Sequence, residues 1–129
     1  MKNCLESQQN LSYTLQECSF TKQFNSTYMK VSVTTNMRIW RSPNRCKRWY
    51  ITFDGSECTP IPIDGIVYSN TNDDLHRTRS IIGHCKIQKS GPINVALNLG
   101  DCPGYTGGDA MTGWESSTRI YVEEIEPPQ

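Results

Sequence analysis

Six cysteines, separated in turn by 13, 27, 11, 26 and 16 residues, set the first limit on how this chain folds. Their number is even, and no two form a Cys-x-x-Cys pair. Structural zinc takes its ligands from close pairs. Disulfides join distant stretches of chain and form in oxidising compartments. Cys4, Cys18, Cys46, Cys58, Cys85 and Cys102 therefore read as three bridges in an exported protein. Joining sequence neighbours gives Cys4–Cys18, Cys46–Cys58 and Cys85–Cys102, each pair flanking a hairpin or a connected strand pair. The triplets Asn10-Leu11-Ser12 and Asn25-Ser26-Thr27 fit the same compartment and mark Asn10 and Asn25 as glycan acceptors.

What lies between the cysteines is strand-like. Ile93, Val95, Leu97 and Leu99 alternate with Asn94, Ala96 and Asn98, a period of two. Met29, Val31 and Val33 do the same, as do Ile120 and Val122. Trp49, Ile51 and Phe53 run into Asp54-Gly55, a hairpin turn signal. Ile61 to Tyr68 and Leu75 to Ile82 are weaker candidates. No dozen-residue window keeps a helical apolar stripe. At 129 residues the chain has room for one core, so residues 1–129 read as one all-β domain, an antiparallel two-sheet sandwich or jelly roll. Trp49–Phe53, counting Tyr50, and Ile120-Tyr121-Val122 are apolar on both faces. Either a second subunit or a covering loop must bury the outer side.

Thirteen basic and thirteen acidic residues leave no net charge, which argues against a nucleic-acid binder. No stretch approaches the ~20 apolar residues needed to span a bilayer. No apolar leader follows Met1, so an exported chain of this kind reads as a piece of a longer protein. Catalytic signatures are missing. His84 precedes Cys85, but neighbouring strand residues point to opposite faces. The Gly-rich segment Gly100 to Gly113, with Asp101, Asp109 and the following Trp114, is a candidate loop. Its carboxylates suit calcium or a glycosidase, but Asp and Gly are also ordinary turn formers, and no cofactor is expected. Arg41, Arg45, Lys47 and Arg48, with Arg38, crowd around Trp40 and Trp49. They are the candidate ligand-binding residues, suited to sulfated glycans or an acidic protein; the plainer reading is a solvated loop.

Several segments resemble the C-terminal domain of the collagen triple helix repeat-containing protein family. They are Glu17 to Lys22, Arg48 to Cys58, Pro62 to Tyr68 and His76-Arg77-Thr78, then Gly108-Asp109-Ala110, Thr112-Gly113-Trp114 and Ser117 to Glu124. Arg41 and Arg45 stand where the family carries additional cysteines, and Asp73-Asp74 stands where it tends to carry a sequon. The resemblance implies a secreted extracellular-matrix glycoprotein whose signal and collagen stalk precede this non-collagenous domain. It implies a homotrimeric jelly roll like that of complement component 1q and tumour necrosis factor. It also implies a role in cell migration and Wnt signalling, with Wnt and Frizzled-type receptors as partners. The expectation is thus a binding module, not an enzyme. The rivals are a monomeric lectin-like glycan binder and, more remotely, a glycoside hydrolase using Asp101 and Asp109.

Overall fold

The computed structural model describes residues 2–6, 9–10, 14–40, 44–71 and 74–127, with side chains from residue 16 onward. These residues form strands and no helix. In chain order the strands are β1 (Lys2–Glu6), β2 (Gln9–Asn10), β3 (Thr14–Lys22), β4 (Tyr28–Trp40), β5 (Arg45–Phe53) and β6 (Ser56–Glu57). They continue with β7 (Asp64–Ser69), β8 (Arg77–Lys86), β9 (Gly91–Asp101), β10 (Asp109–Thr112) and β11 (Thr118–Ile125).

All pairing is antiparallel, in two sheets. The first runs β1-β11-β4-β8; β10 continues the β11 side of β4, with β2 beyond it. Met37 shows this, because its partners are Thr112 of β10 on one side and Arg77 of β8 on the other. The second runs β3-β9-β5, with β7 and β6 on the remaining edge of β5. The pairs β1·β11, β3·β9, β4·β8 and β5·β7 nest inside one another like rungs of one long folded hairpin. Alternate rungs fall in alternate sheets.

The two-residue alternation decides which faces meet. Met29, Val31, Val33, Met37 and Ile39 of β4 are buried, with Ile120 and Val122 of β11 beside them. Trp49, Ile51 and Phe53 of β5 and Ile93, Val95, Leu97 and Leu99 of β9 belong to the same core. Two polar contacts within this layer satisfy buried groups. Trp49 Nε1 donates to Thr112 Oγ1 at 2.8 Å, linking β5 to β10 across the sheets. The Thr35 and Thr118 hydroxyls bond each other at 2.8 Å. The expected Asp54-Gly55 turn joins β5 to β6, both residues having positive φ. Asp54 also accepts from Lys89 Nζ at 2.9 Å and the Asn94 N–H at 2.8 Å, which together hold its carboxyl below the usual range.

Tyr50 and Tyr121 lie on the outer faces of different sheets, so the two strands read as apolar on both faces do not form one surface. Strand β3 carried no clear signal in the sequence. Its inward side chains include Gln16 and Lys22, so its alternation is partly polar.

The bridges correct the nearest-neighbour pairing. Cys46 joins Cys102 and Cys58 joins Cys85, with Cα separations of 5.4 and 5.9 Å. Register explains the first: Lys47 lies opposite Asp101, so Cys46 and Cys102 meet at the end of that ladder. The second crosses the layers, from the segment after β6 to β8. Cys18 is also disulfide-bonded. The expected Cys4–Cys18 pairing involves a side chain outside the described residues. By chain entropy, closing loops of 56 and 27 residues restricts the unfolded chain by about 4 and about 3.5 kcal/mol.

One close approach yields a test. Gly83 of β8 lies over Ile63, and a Cβ there would be 2.8 Å from Ile63 Cγ1. Gly83→Ala should cost about 1–3 kcal/mol through overpacking, read from urea denaturation. In an Ile63→Ala background the added cost should largely vanish; strict additivity would refute the contact.

Candidate functional site

The cations that crowd together in sequence are separated by the strand pleat. Arg41 lies outside the described residues. Lys47 is on the inner face of β5 at the end of the sandwich, 5 % exposed, and its Nζ donates to Asp101 Oδ1 at 2.6 Å. Arg48, the next residue, points to the outer face. Its Nε donates to Asp64 Oδ2 at 2.7 Å, and its two terminal nitrogens grip the Glu57 carboxylate. The Glu57 bonds, opposed by partial burial and reinforced by Asp64, raise the Arg48 pKa further. The same guanidinium lies 4.6 Å from the Tyr50 ring centroid, so Arg48 covers that aromatic face within its own chain. Arg45 packs against Gly107 and Gly108 of the β9–β10 connection and donates to the Asn44 carbonyl at 3.2 Å. Lys47 and Arg48 therefore sit in ion pairs and are not an open basic patch.

The acidic candidates part company as well. Asp101 is the counter-ion of Lys47. Asp109 lies on β10, opposite Trp40. Among the described residues no group of three or more His, Cys, Asp or Glu side chains gathers as a metal site.

Trp114 enters a cluster that the sequence did not suggest. Its ring stacks on His76, with centroids 4.2 Å apart and planes at 24°. His76 Nε2 is 3.8 Å from Asp74 Oδ1, which also pairs with Arg38 NH1 at 3.2 Å. Arg38 is 7 % exposed and its guanidinium sits 5.7 Å from the Trp40 ring. Arg38 Nε and His76 Nδ1 are buried without a hydrogen-bond partner among the described residues. Trp114 itself is 42 % exposed. The exposed indole face is the part of this cluster open to a flat ligand.

Two more surfaces carry uncommitted groups. Between the sheet edges formed by β7 and β8 is a cleft of about 190 Å³, lined by Met37, Ile39, Val67, Leu75, Arg77 and Arg79 among others. Arg77 and Arg79 are exposed, and neither has a carboxylate partner among the described residues. On the outer face of the first sheet, Ile82 is 64 % exposed. Shallow depressions there are lined by Lys30, Ser32, Tyr121 and Glu123, and by Lys30, Ile82, His84 and Ile125.

The Lys47–Asp101 pair is the most stability-laden of these contacts. Asp101→Asn should cost about 2 kcal/mol or more, short of the ~3–5 for a fully buried pair, because Asp101 keeps some solvent contact. Lys47→Met with Asp101→Asn should be more stable than Asp101→Asn alone. A double variant weaker than both singles would show that the pair is not what holds this end together.

The family model described as CTHRC1, C-terminal domain, matches residues 2–122. The match takes in both sheets from β1 into β11, both described bridges and the Trp114 cluster. This chain belongs to the CTHRC1 C-terminal domain family.

Proposed function

We propose that this domain is a secreted, trimeric binding module of the extracellular matrix, built as a jelly roll. The nested pairing β1·β11, β3·β9, β4·β8 and β5·β7, with rungs alternating between two sheets, is the observation that carries the reading. It is the order expected of a long hairpin rolled into a sandwich. The outer face of the first sheet supplies the self-association surface. There Ile82 is exposed, and Tyr121 and Ile125 are half-buried, opposite Ser32 and Tyr28 of β4. Three copies about an axis repeat each binding surface and turn weak contacts into avidity.

Bridged cysteines support an oxidising, extracellular setting. The partners proposed are Wnt and Frizzled-type proteins, in keeping with the family, and sulfated glycans. Binding, and not catalysis, is the role the paired carboxylates favour, since Asp101 is neutralised by Lys47. A monomeric lectin-like reading has one specific support, the exposed Trp114 ring over His76.

Light scattering should return three times the 14.7 kDa protomer mass, without disulfide links between chains on non-reducing gels. Ile82→Glu should shift the mass to one protomer while leaving circular dichroism unchanged. A monomeric parent chain would turn the reading towards the lectin-like alternative.

If sulfated glycans bind, they should use the uncommitted arginines. Arg77→Glu with Arg79→Glu should elute from heparin at clearly lower salt than the parent, because each lost cation weakens the counter-ion-dependent attraction. Arg48→Glu should fall less than the double variant. Equal losses would dismiss the β7–β8 cleft as the glycan site.

A further inference from the structure

The turn between β3 and β4 contains the sequon Asn25-Ser26-Thr27 in an arrangement that bears on when it can be modified. Asn25 and Ser26 are exposed, and Phe24 beside them is 64 % exposed, so the turn has room for a large appendage. Thr27 is different, at 5 % exposed. Its hydroxyl accepts from the buried Lys22 Nζ at 2.8 Å and donates to a carboxylate oxygen of Glu124. The Phe24 carbonyl, 3.1 Å away, is an alternative acceptor. Glu124 also accepts the backbone N–H groups of Gln23 at 2.7 Å and Phe24 at 2.9 Å. The sequon hydroxyl and the backbone entering the turn are thus both held by a residue of the last strand, 97 positions later than Thr27.

A transferase that recognises Asn-x-Thr needs that hydroxyl free and the turn backbone open. We propose that Asn25 is an N-glycosylation site that accepts its glycan only before β11 docks on β4, so that completion of the fold closes the site. This deepens the secreted reading and rests on it. In the transfer, the Asn25 side-chain nitrogen gives a proton to the enzyme's base and bonds C1 of the first sugar. The bond from C1 to the pyrophosphate of a lipid-linked oligosaccharide breaks, and the lipid pyrophosphate leaves with the electron pair. At about 5–20 residues per second of synthesis, Glu124 emerges on the order of 5–20 s after Thr27. The glycan sits at the Tyr28 end of β4, roughly 30 Å of strand away from Arg38, so the Trp114 cluster stays uncovered.

The test uses an Asn10→Gln background, which leaves Asn25 as the remaining sequon. Purified oligosaccharyltransferase with lipid-linked donor is offered three acceptors: the folded, oxidised chain, the same chain with Glu124→Ala, and a peptide spanning residues 18–32. The peptide should be glycosylated, and the folded chain should react at least roughly tenfold more slowly, since it depends on local opening. Glu124→Ala, with its fold checked by near-ultraviolet circular dichroism, should recover part of the difference. A folded chain as reactive as the peptide would overturn the proposal. So would an unreactive peptide, or a Glu124→Ala chain no faster than its parent. Light scattering on the same samples reads assembly separately, so a failure here is distinguishable from a failure of the trimer.

Discussion

Trp49 is the side chain around which the two layers are organised. It is fully buried in the middle of β5, with Leu99 of β9 opposite on one side and Gly65 of β7 on the other. An indole of this size needs both a large apolar enclosure and a partner for its N–H. The alternating residues of β9 and β4 provide the enclosure, and Thr112 of β10 accepts the hydrogen bond. That bond makes β10, only four residues long, an anchored part of the first sheet. The connections leaving β10 then place Trp114 against His76.

How legible the molecule was in its sequence follows from the same physics. β9, β11, the Met29–Thr34 part of β4 and the Trp49–Phe53 part of β5 announce themselves because alternation and branched or aromatic side chains coincide there, whereas the remainder of β4 and the basic start of β5 depart from that pattern. β3 does not, because Lys22 and Gln16 occupy inward positions and interrupt its apolar alternation; Lys22 Nζ is held by the Thr27 hydroxyl in the following turn, whereas Gln16 Oε1 is buried without a hydrogen-bond partner among the described residues. The bridges were mispaired for a related reason. Closeness in sequence pointed to Cys46–Cys58, whereas the register between β5 and β9 brings Cys46 to Cys102 across 56 positions. The candidate site was legible in composition only. Lys47 and Arg48 are consecutive, yet the pleat sends one into the sandwich and one out of it. Trp114 could be singled out as a loop aromatic, but its neighbours His76 and Arg38 come from other elements with no local signal linking them.

Charge in this molecule is organised locally. Among the described residues several charges are held in pairs: Lys47 with Asp101, Arg48 with Glu57 and Asp64, Lys89 with Asp54, and Arg38 with Asp74. Several of these pairs sit at strand ends or turns, where they orient loops. Among the described residues, the uncommitted surfaces include the arginines of the β7–β8 cleft, the apolar outer face around Ile82, and the exposed indole of Trp114. In the proposed trimer, repetition around an axis would compensate for the small size of each such surface.

The pairing of β1 with β11 has a mechanical side. Lys2 to Glu6 run antiparallel to Thr118 to Val122, and β11 is in turn held by β4 through seven registered positions. Tension applied at the N-terminal end, along the strand and against the body of the sandwich, loads the rungs of the β1·β11 ladder together in shear, so they do not peel one at a time. A load directed along β1 would thus be shared by the five registered positions of this ladder.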